Sequence, residues 1–313
     1  MKTTLFTLAI TALSLTACSN EDSMYDGWDG RLHLNSDIAV LTRATYGLDD
    51  KIANTEKVWL YIDGTGAGTP QYYNKELTAN GSNGFTISDG SEMFFPAQEA
   101  GINLYAFHIN TTTARPDNYP SSSLTHKVEQ TQNIAANYGK SDLLYSKATK
   151  TKEEVKGASG TVKLTFKHLL SKIEVVLKKG TGMTAVNISK VEILNTKLEG
   201  SFTPSKSSDD ITVTSAGSIT SNNPIEIGTE LTTSSAILNE AIIIPQTLAD
   251  KTAFIRITLD NGGMLTYNLK SATTFAANTK YRYTITANLT GLTVISEITD
   301  WTGDSNTDGD AEM

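Results

Sequence analysis

Cysteine occurs once in the 313 residues, so no disulfide can form within the chain. Histidine occurs four times, at His33, His108, His126 and His168, and no two of them stand at metal-ligand spacing. A His-Glu-x-x-His motif is missing, and no Gly-x-Ser-x-Gly elbow supplies an acyl-transfer nucleophile. Basic charge is in deficit. The formal net charge of −8 argues against nucleic acid, which needs a positive stripe to displace counterions, and against electrostatic adhesion to anionic lipid. Lys and Glu runs suited to helices are scarce, while Thr, Ser, Gly and Asn abound. At 39% hydrophobic and 19% charged, the composition is neither that of a disordered chain nor that of a membrane-spanning one.

The start of the chain is apolar but short. Lys2 precedes a stretch from Leu5 to Leu15 that falls short of the roughly twenty residues needed to cross a bilayer, so it reads as a signal peptide. It ends in Leu15-Thr16-Ala17-Cys18, which resembles the bacterial lipobox, with Cys18 as the lipidated mature N-terminus. Residues 1–17 are then the signal peptide and 18–31 a tether, and attachment to the membrane is covalent. Ser19-Asn20-Glu21-Asp22 is similar to the export signal of Bacteroidetes surface lipoproteins, and equally suits a plain solvated tether. The expected location is the outer membrane, facing outward.

Beyond the tether the pattern is that of strands. Val58 to Ile62, Ile102 to Ile109, Val191 to Leu194, Ala241 to Ile244, Phe254 to Leu259 and Tyr281 to Ala287 are short β-branched and aromatic runs. Val162, Leu164 and Phe166 alternate on one face, as do Ile173, Val175 and Leu177. Asn261-Gly262 signals a hairpin. A helix is expected only near Asn133 to Tyr138. Many strands spaced by Gly, Asn and Asp turns predict an all-β protein of two sandwiches in series. The polar stretch from Ala148 to Gly160 is the expected boundary, dividing an N-terminal domain over 32–155 from a C-terminal domain over 156–301, with an acidic tail over 302–313.

Phe166-Lys167-His168-Leu169-Leu170-Ser171-Lys172-Ile173 resembles a Phe-x-His-x-x-Ser-Lys-Ile segment of the fimbrillin (Mfa-like) family of Bacteroidetes. Ile244-Pro245-Gln246-Thr247, the strand from Asn278 to Ile285, Ile298-Thr299-Asp300-Trp301 and Thr42-Arg43-Ala44-Thr45 fit the same pattern, in order and spacing. The resemblance implies two tandem transthyretin-like sandwiches that build surface pili by donor-strand exchange with other pilus subunits. It also implies cutting between Arg43 and Ala44 by an Arg-specific protease. No cofactor is implied, and the adhesion target stays open. The strand-like Leu32 to Leu41 would plug its own sandwich until that cut.

Other chemistry is weaker. Asp63-Gly64-Thr65-Gly66-Ala67-Gly68 lacks the Lys and the following helix of a phosphate loop. Asp304, Asn306, Asp308 and Asp310 match the first half of a calcium loop, but the chain ends before a closing Glu, so a plain acidic tail is the simpler reading. His168 reads as a structural partner rather than a catalytic group. The expectation is therefore a non-enzymatic pilus subunit or adhesin. The rival is a monomeric surface lipoprotein that binds glycan through Tyr72, Tyr73 and Tyr119, all expected in loops. Leu292 to Trp301 is expected to be a native strand, because a tail carrying Asp304, Asp308, Asp310 and Glu312 cannot fill an apolar groove. That points to a tip or accessory role.

Overall fold

The structure is a computed structural model that describes residues 28–38, 51–66, 68–208, 211–228 and 236–301. Cys18, Arg43, Ala44 and the acidic residues Asp304 to Asp310 lie outside the described residues. The first eight strands are β1 (His33–Ile38), β2 (Lys57–Gly64), β3 (Gln71–Ala79), β4 (Phe85–Ile87), β5 (Gly101–His108), β6 (Leu124–Lys127), β7 (Leu144–Thr151) and β8 (Thr161–His168). Two short helices accompany them, α1 (Ala135–Lys140) and α2 (Lys152–Gly157). Then come β9 (Ser171–Lys179), β10 (Ile188–Ile193), β11 (Glu199–Phe202), β12 (Thr214–Ala216), β13 (Ile225–Gly228) and β14 (Ile237–Ile243). The chain continues through β15 (Gln246–Leu248), β16 (Ala253–Leu259), β17 (Met264–Asn268), β18 (Thr273–Phe275), β19 (Thr279–Asn288) and β20 (Gly291–Asp300).

Seven strands make the first sheet, in the order β1-β8-β7-β5-β2-β3-β4. The second half holds two four-stranded sheets, β14-β9-β19-β20 and β13-β10-β16-β17, with the small pair β15-β18 beside them. The all-β expectation is met. The boundary is not where the polar stretch put it, because β8 pairs with β1 and β7 inside the first sheet. The chain changes sheets instead across Leu169-Leu170, between β8 and β9. In the other direction, β6 from the first half pairs with β11 of the second, and Thr131 bridges to Glu226. A boundary at 155/156 therefore cuts through both sets of pairings.

Period-two alternation explains how the halves share a core. On β2, Val58, Leu60 and Ile62 join the aliphatic cluster of the first sheet, while Trp59 and Tyr61 point the other way into the larger cluster. On β5, Ile102, Leu104 and Ala106 face the aliphatic side, whereas Tyr105 and Phe107 face the second half. The first sheet thus has an aliphatic face of its own and an aromatic face buried against its neighbour.

The expected helix is present as α1, and α2 is an addition. Thr151 accepts a hydrogen bond from the Glu154 N–H while the Glu154 carboxylate accepts one from the Thr151 N–H, a complete capping box. Between β16 and β17 the turn uses one left-handed residue rather than two. Gly262 has φ +86, and Asn261 accepts the Gly263 N–H with its side chain at 3.0 Å.

His126 of β6 is wholly buried, with Nδ1 accepting the Asn110 N–H at 3.1 Å and Nε2 2.9 Å from the Ser141 carbonyl oxygen. That arrangement fits a neutral ring with its proton on Nε2. Burial pushes its pKa down to about 4. Unfolded histidine titrates near ~6.5, so as pH falls from there the unfolded chain takes up the proton first and stability drops until about 4. The loss should be on the order of 3 kcal/mol from this residue. Urea denaturation between about pH 7 and about pH 4.5 should therefore show a shallower decline for His126→Gln than for the parent. Parallel declines would mean that other groups carry the pH dependence.

Candidate functional site

Among the described residues no group of three or more His, Cys, Asp and Glu could hold a metal ion, and the strands at the ends of the sheets are the structural candidates for a site. β1 runs parallel to β8 along its whole length, from His33 opposite Thr161 to Ile38 opposite Phe166. Its other edge is bonded as well. Leu32 N–H donates to Met93 at 2.8 Å, Ser36 N–H to Asn83 at 2.7 Å, and Phe95 N–H to Gly30 at 2.8 Å. β1 therefore covers the edge of β8 and, with the residues just before it, touches the turns around β4. Without it, the β8 edge and backbone groups at Met93 and Asn83 would stand unpaired.

The packing follows the strand period. Leu32, Leu34, Ser36 and Ile38 point inward and are buried, whereas His33 and Asn35 are exposed. Each buried Leu or Ile contributes roughly 1.5–3 kcal/mol. Charged contacts trim the outside, with Lys163 2.5 Å from Asp37 and Arg31 2.9 Å from Glu92. Such exposed pairs are worth about 1 kcal/mol or less, so apolar burial is the main grip. The contact on the β4 side is incomplete in the middle. A cleft of about 520 Å³ lies between β1 and β4, walled by Leu32, Leu34, Phe85, Ile87 and Met93.

The approach to β1 is built too, although the residues before it were expected to be loose tether. Trp28 packs edge-on against Phe95 with ring centroids 6.1 Å apart, and its indole N–H donates to the Arg31 carbonyl at 2.8 Å. Gly160, at φ +84, lies under this segment, and a side chain there would collide with the Arg31 carbonyl oxygen.

The far end of the chain forms a second edge. β20 pairs antiparallel with β19 from Thr279 opposite Asp300 to Asn288 opposite Gly291, and it is the outer strand of its sheet. Leu292 to Asp300 thus lie in a strand paired within the chain. Ile295 and Ile298 remain 68% and 61% exposed on it. The strand ends in a residue of the opposite kind, since Trp301 is buried and stacks on His168 at 3.7 Å and 7°. His168 in turn places Nδ1 2.7 Å from Asp142 Oδ2. Just beneath, Lys172 sits 2.6 Å from Glu240 and 3.4 Å from Glu174, and Arg282 reaches Glu174 at 2.7 Å. The structural role expected for His168 is what its contacts provide.

The buried charges were not foreseen. Lys172 and Glu174 alternate with Ile173 and Val175, a pattern that reads as a solvent face but is covered on both sides here. The only available signal was the spacing of Lys172, Glu174 and Glu240, which has no meaning until β9 and β14 are paired.

The tyrosines proposed as a glycan platform do not come together. Tyr72 and Tyr73 lie on β3 rather than in a loop, and as strand neighbours they point to opposite faces. Tyr72 donates to Glu99 at 2.6 Å, and Tyr73 to the Phe94 carbonyl at 2.9 Å. Tyr119 is packed among Tyr61, Tyr105 and Phe107, with centroids 5.6, 4.9 and 5.8 Å away. Burial raises its pKa far above the usual phenol range, and burial, opposed by Arg115, pushes Tyr61 up to about 12. Trp59 is core, as expected.

A family described as fimbrillin-like matches residues 42–301. A protein of Bacteroides uniformis named as a candidate fimbrium subunit is 25% identical, over 96% of this chain and 95% of its own length. Among solved structures, a candidate cell adhesion protein from Bacteroides ovatus aligns with TM-score 0.62 at 17% identity, over 88% of this chain and 98% of that one. Another from Bacteroides uniformis aligns with TM-score 0.57 at 22% identity, over 88% of this chain and 99% of that one. At these identities the structural likeness is one of fold.

A single charge on the inner face of β1 tests how that strand is held. Leu34→Asp buries a carboxylate without a partner, a change costing several kcal/mol where it is not relieved. Hydrogen exchange should quicken over residues 33–38 and 161–168 while residues 279–288 stay protected. A uniform rise across the chain would show that β1 is not a separately removable strand.

Proposed function

The chain belongs to the fimbrillin-like family, and from that premise we propose that it is a non-enzymatic, adhesive subunit of a bacterial surface fimbrium, assembled by strand exchange. The observation that carries this reading is β1, an end strand paired along its length with β8, touching the turns beside β4 through a few backbone bonds, and gripped together with the residue before it chiefly by Leu32, Leu34 and Ile38. A strand in that position is a plug. While it is in place, the aliphatic face lined by Val58, Leu60, Leu104 and Phe166 is covered and cannot aggregate during export.

Processing would remove it. A cut between Arg43 and Ala44 by an Arg-specific protease separates β1 from the rest of the chain, together with the tether and its lipid at Cys18. An extended segment of a neighbouring subunit then fills the slot beside β8, making main-chain hydrogen bonds and setting alternate apolar side chains where Leu32, Leu34 and Ile38 had been. Before the cut, the lipid at Cys18 holds the protein in the outer membrane, facing outward. The two halves are taken as tandem transthyretin-like sandwiches, with β6 of the first paired to β11 of the second. Because β20 is paired at home and is followed by an acidic segment, the subunit is assigned a tip or accessory place rather than a stalk role.

Arg43→Ala is the direct test. The variant should fold, be lipidated and reach the surface as the parent does, yet fail to enter fibres when the protease is present. Polymerisation equal to the parent's would end the processing scheme. Long homopolymers of the purified, processed protein in electron micrographs would overturn the tip assignment.

A further inference from the structure

A small cavity lies at the seam where the chain ends its last strand. His108, Tyr138, Asp142, Leu144, Ile242 and Trp301 are among its walls. Three of these residues are almost wholly buried and carry a polar atom with no hydrogen-bond partner among the described residues: Nδ1 of His108, Oδ1 of Asp142 and Nε1 of Trp301. Buried polar atoms left in that condition forfeit their full solvation.

The three are chemically complementary to one small molecule. An indole N–H can only donate, and a carboxylate oxygen can only accept. His108 has its Nε2 3.3 Å from Glu56 Oε2, so a neutral ring that donates there presents Nδ1 as an acceptor. The set is one donor and two acceptors. Water accepts and donates in the matching numbers, and about three bonds is the usual complement of a buried water. The space agrees, since the cavity has about 10 Å³ for the centre of a water-sized sphere, room for one molecule.

We propose that one ordered water occupies this cavity, accepts from the Trp301 indole and donates to Asp142 and His108, and so fastens the end of β20 to the first sheet. His108 closes β5, and Asp142 stands just before β7, both in that sheet. Trp301 directly follows β20, whose Ile295 and Ile298 are exposed and whose outer edge is open. Beyond its ladder with β19, the strand packs Leu292 and Val294 against the core. The water makes the last residue of the strand part of the neighbouring half, independently of how, or whether, subunits exchange strands.

A high-resolution crystal structure of the unaltered protein should show density about 2.7–3.2 Å from all three atoms. Trp301→Phe keeps a ring to stack on His168 but removes the N–H. Amide exchange over residues 291–300 should then quicken roughly tenfold, with residues 33–38 unchanged. A dry cavity overturns the proposal, as do direct protein partners for the three atoms. Unchanged exchange of residues 291–300 in Trp301→Phe overturns it equally.

Discussion

Lys172 is the charge on which the register of β14, β9 and β19 turns. It is wholly buried, and so are the two carboxylates that flank it, Glu240 at 2.6 Å and Glu174 at 3.4 Å. Taking such a group out of water costs several kcal/mol, and the Coulombic return roughly matches that cost only when geometry is good. Removing one partner is a different matter, because the remaining charges are then buried without compensation. β9, β14 and β19 must therefore stay in their observed register, with Glu240 opposite Glu174 and Arg282 opposite Glu174. A one-residue slip would turn these groups to the other face, into the apolar core. The cluster adds little net stability, yet it specifies one register of β14, β9 and β19.

The seam above it inherits that alignment. Leu169-Leu170 carries the chain from β8 to β9 with no loop to absorb error. The position of His168 is therefore set by the sheet on one side and the charge cluster on the other. Trp301 arrives from a distant part of the chain and stacks on that imidazole, with the Lys172 ammonium 6.0 Å from its ring centroid. Such a cation contact is worth on the order of 1 kcal/mol, more where water is excluded. The two ends of the second half thus meet on one residue of the first sheet.

Some of this could be read from the amino acids and some could not, for identifiable reasons. Alternation on β8 was legible because Lys163, Thr165 and Lys167 really do face solvent. The Leu32-to-Ile38 strand was legible for the same reason, but its parallel partner was not, since pairing between distant segments leaves no local trace. The boundary failed there. Ala148 to Gly160 is polar because it includes the exposed end of β7 and α2, not because it links domains. The Thr151-x-x-Glu154 capping box went unread because it stands within the polar stretch taken for a domain boundary. Tyr119 was taken for a loop residue, which it is, and for an exposed one, which its packing against Tyr61 and Tyr105 denies.

β1 and β20 are both outer strands, but they are physically unlike. β1 is bonded on two sides and buries alternate residues, so its loss would uncover an apolar face together with the β8 edge and backbone groups at Met93 and Asn83. β20 is bonded on one side, leaves Ile295 and Ile298 in solvent, and is pinned at its end by one buried ring. Losing β1 creates a vacancy that only another strand of similar pattern can fill. Losing β20 would leave β19 with a free edge, while most of β19's inward residues, Tyr281, Tyr283 and Ile285 among them, stay in the core. The chain therefore begins with a strand whose removal would uncover an apolar slot, whereas the strand at its end is held in place by Trp301.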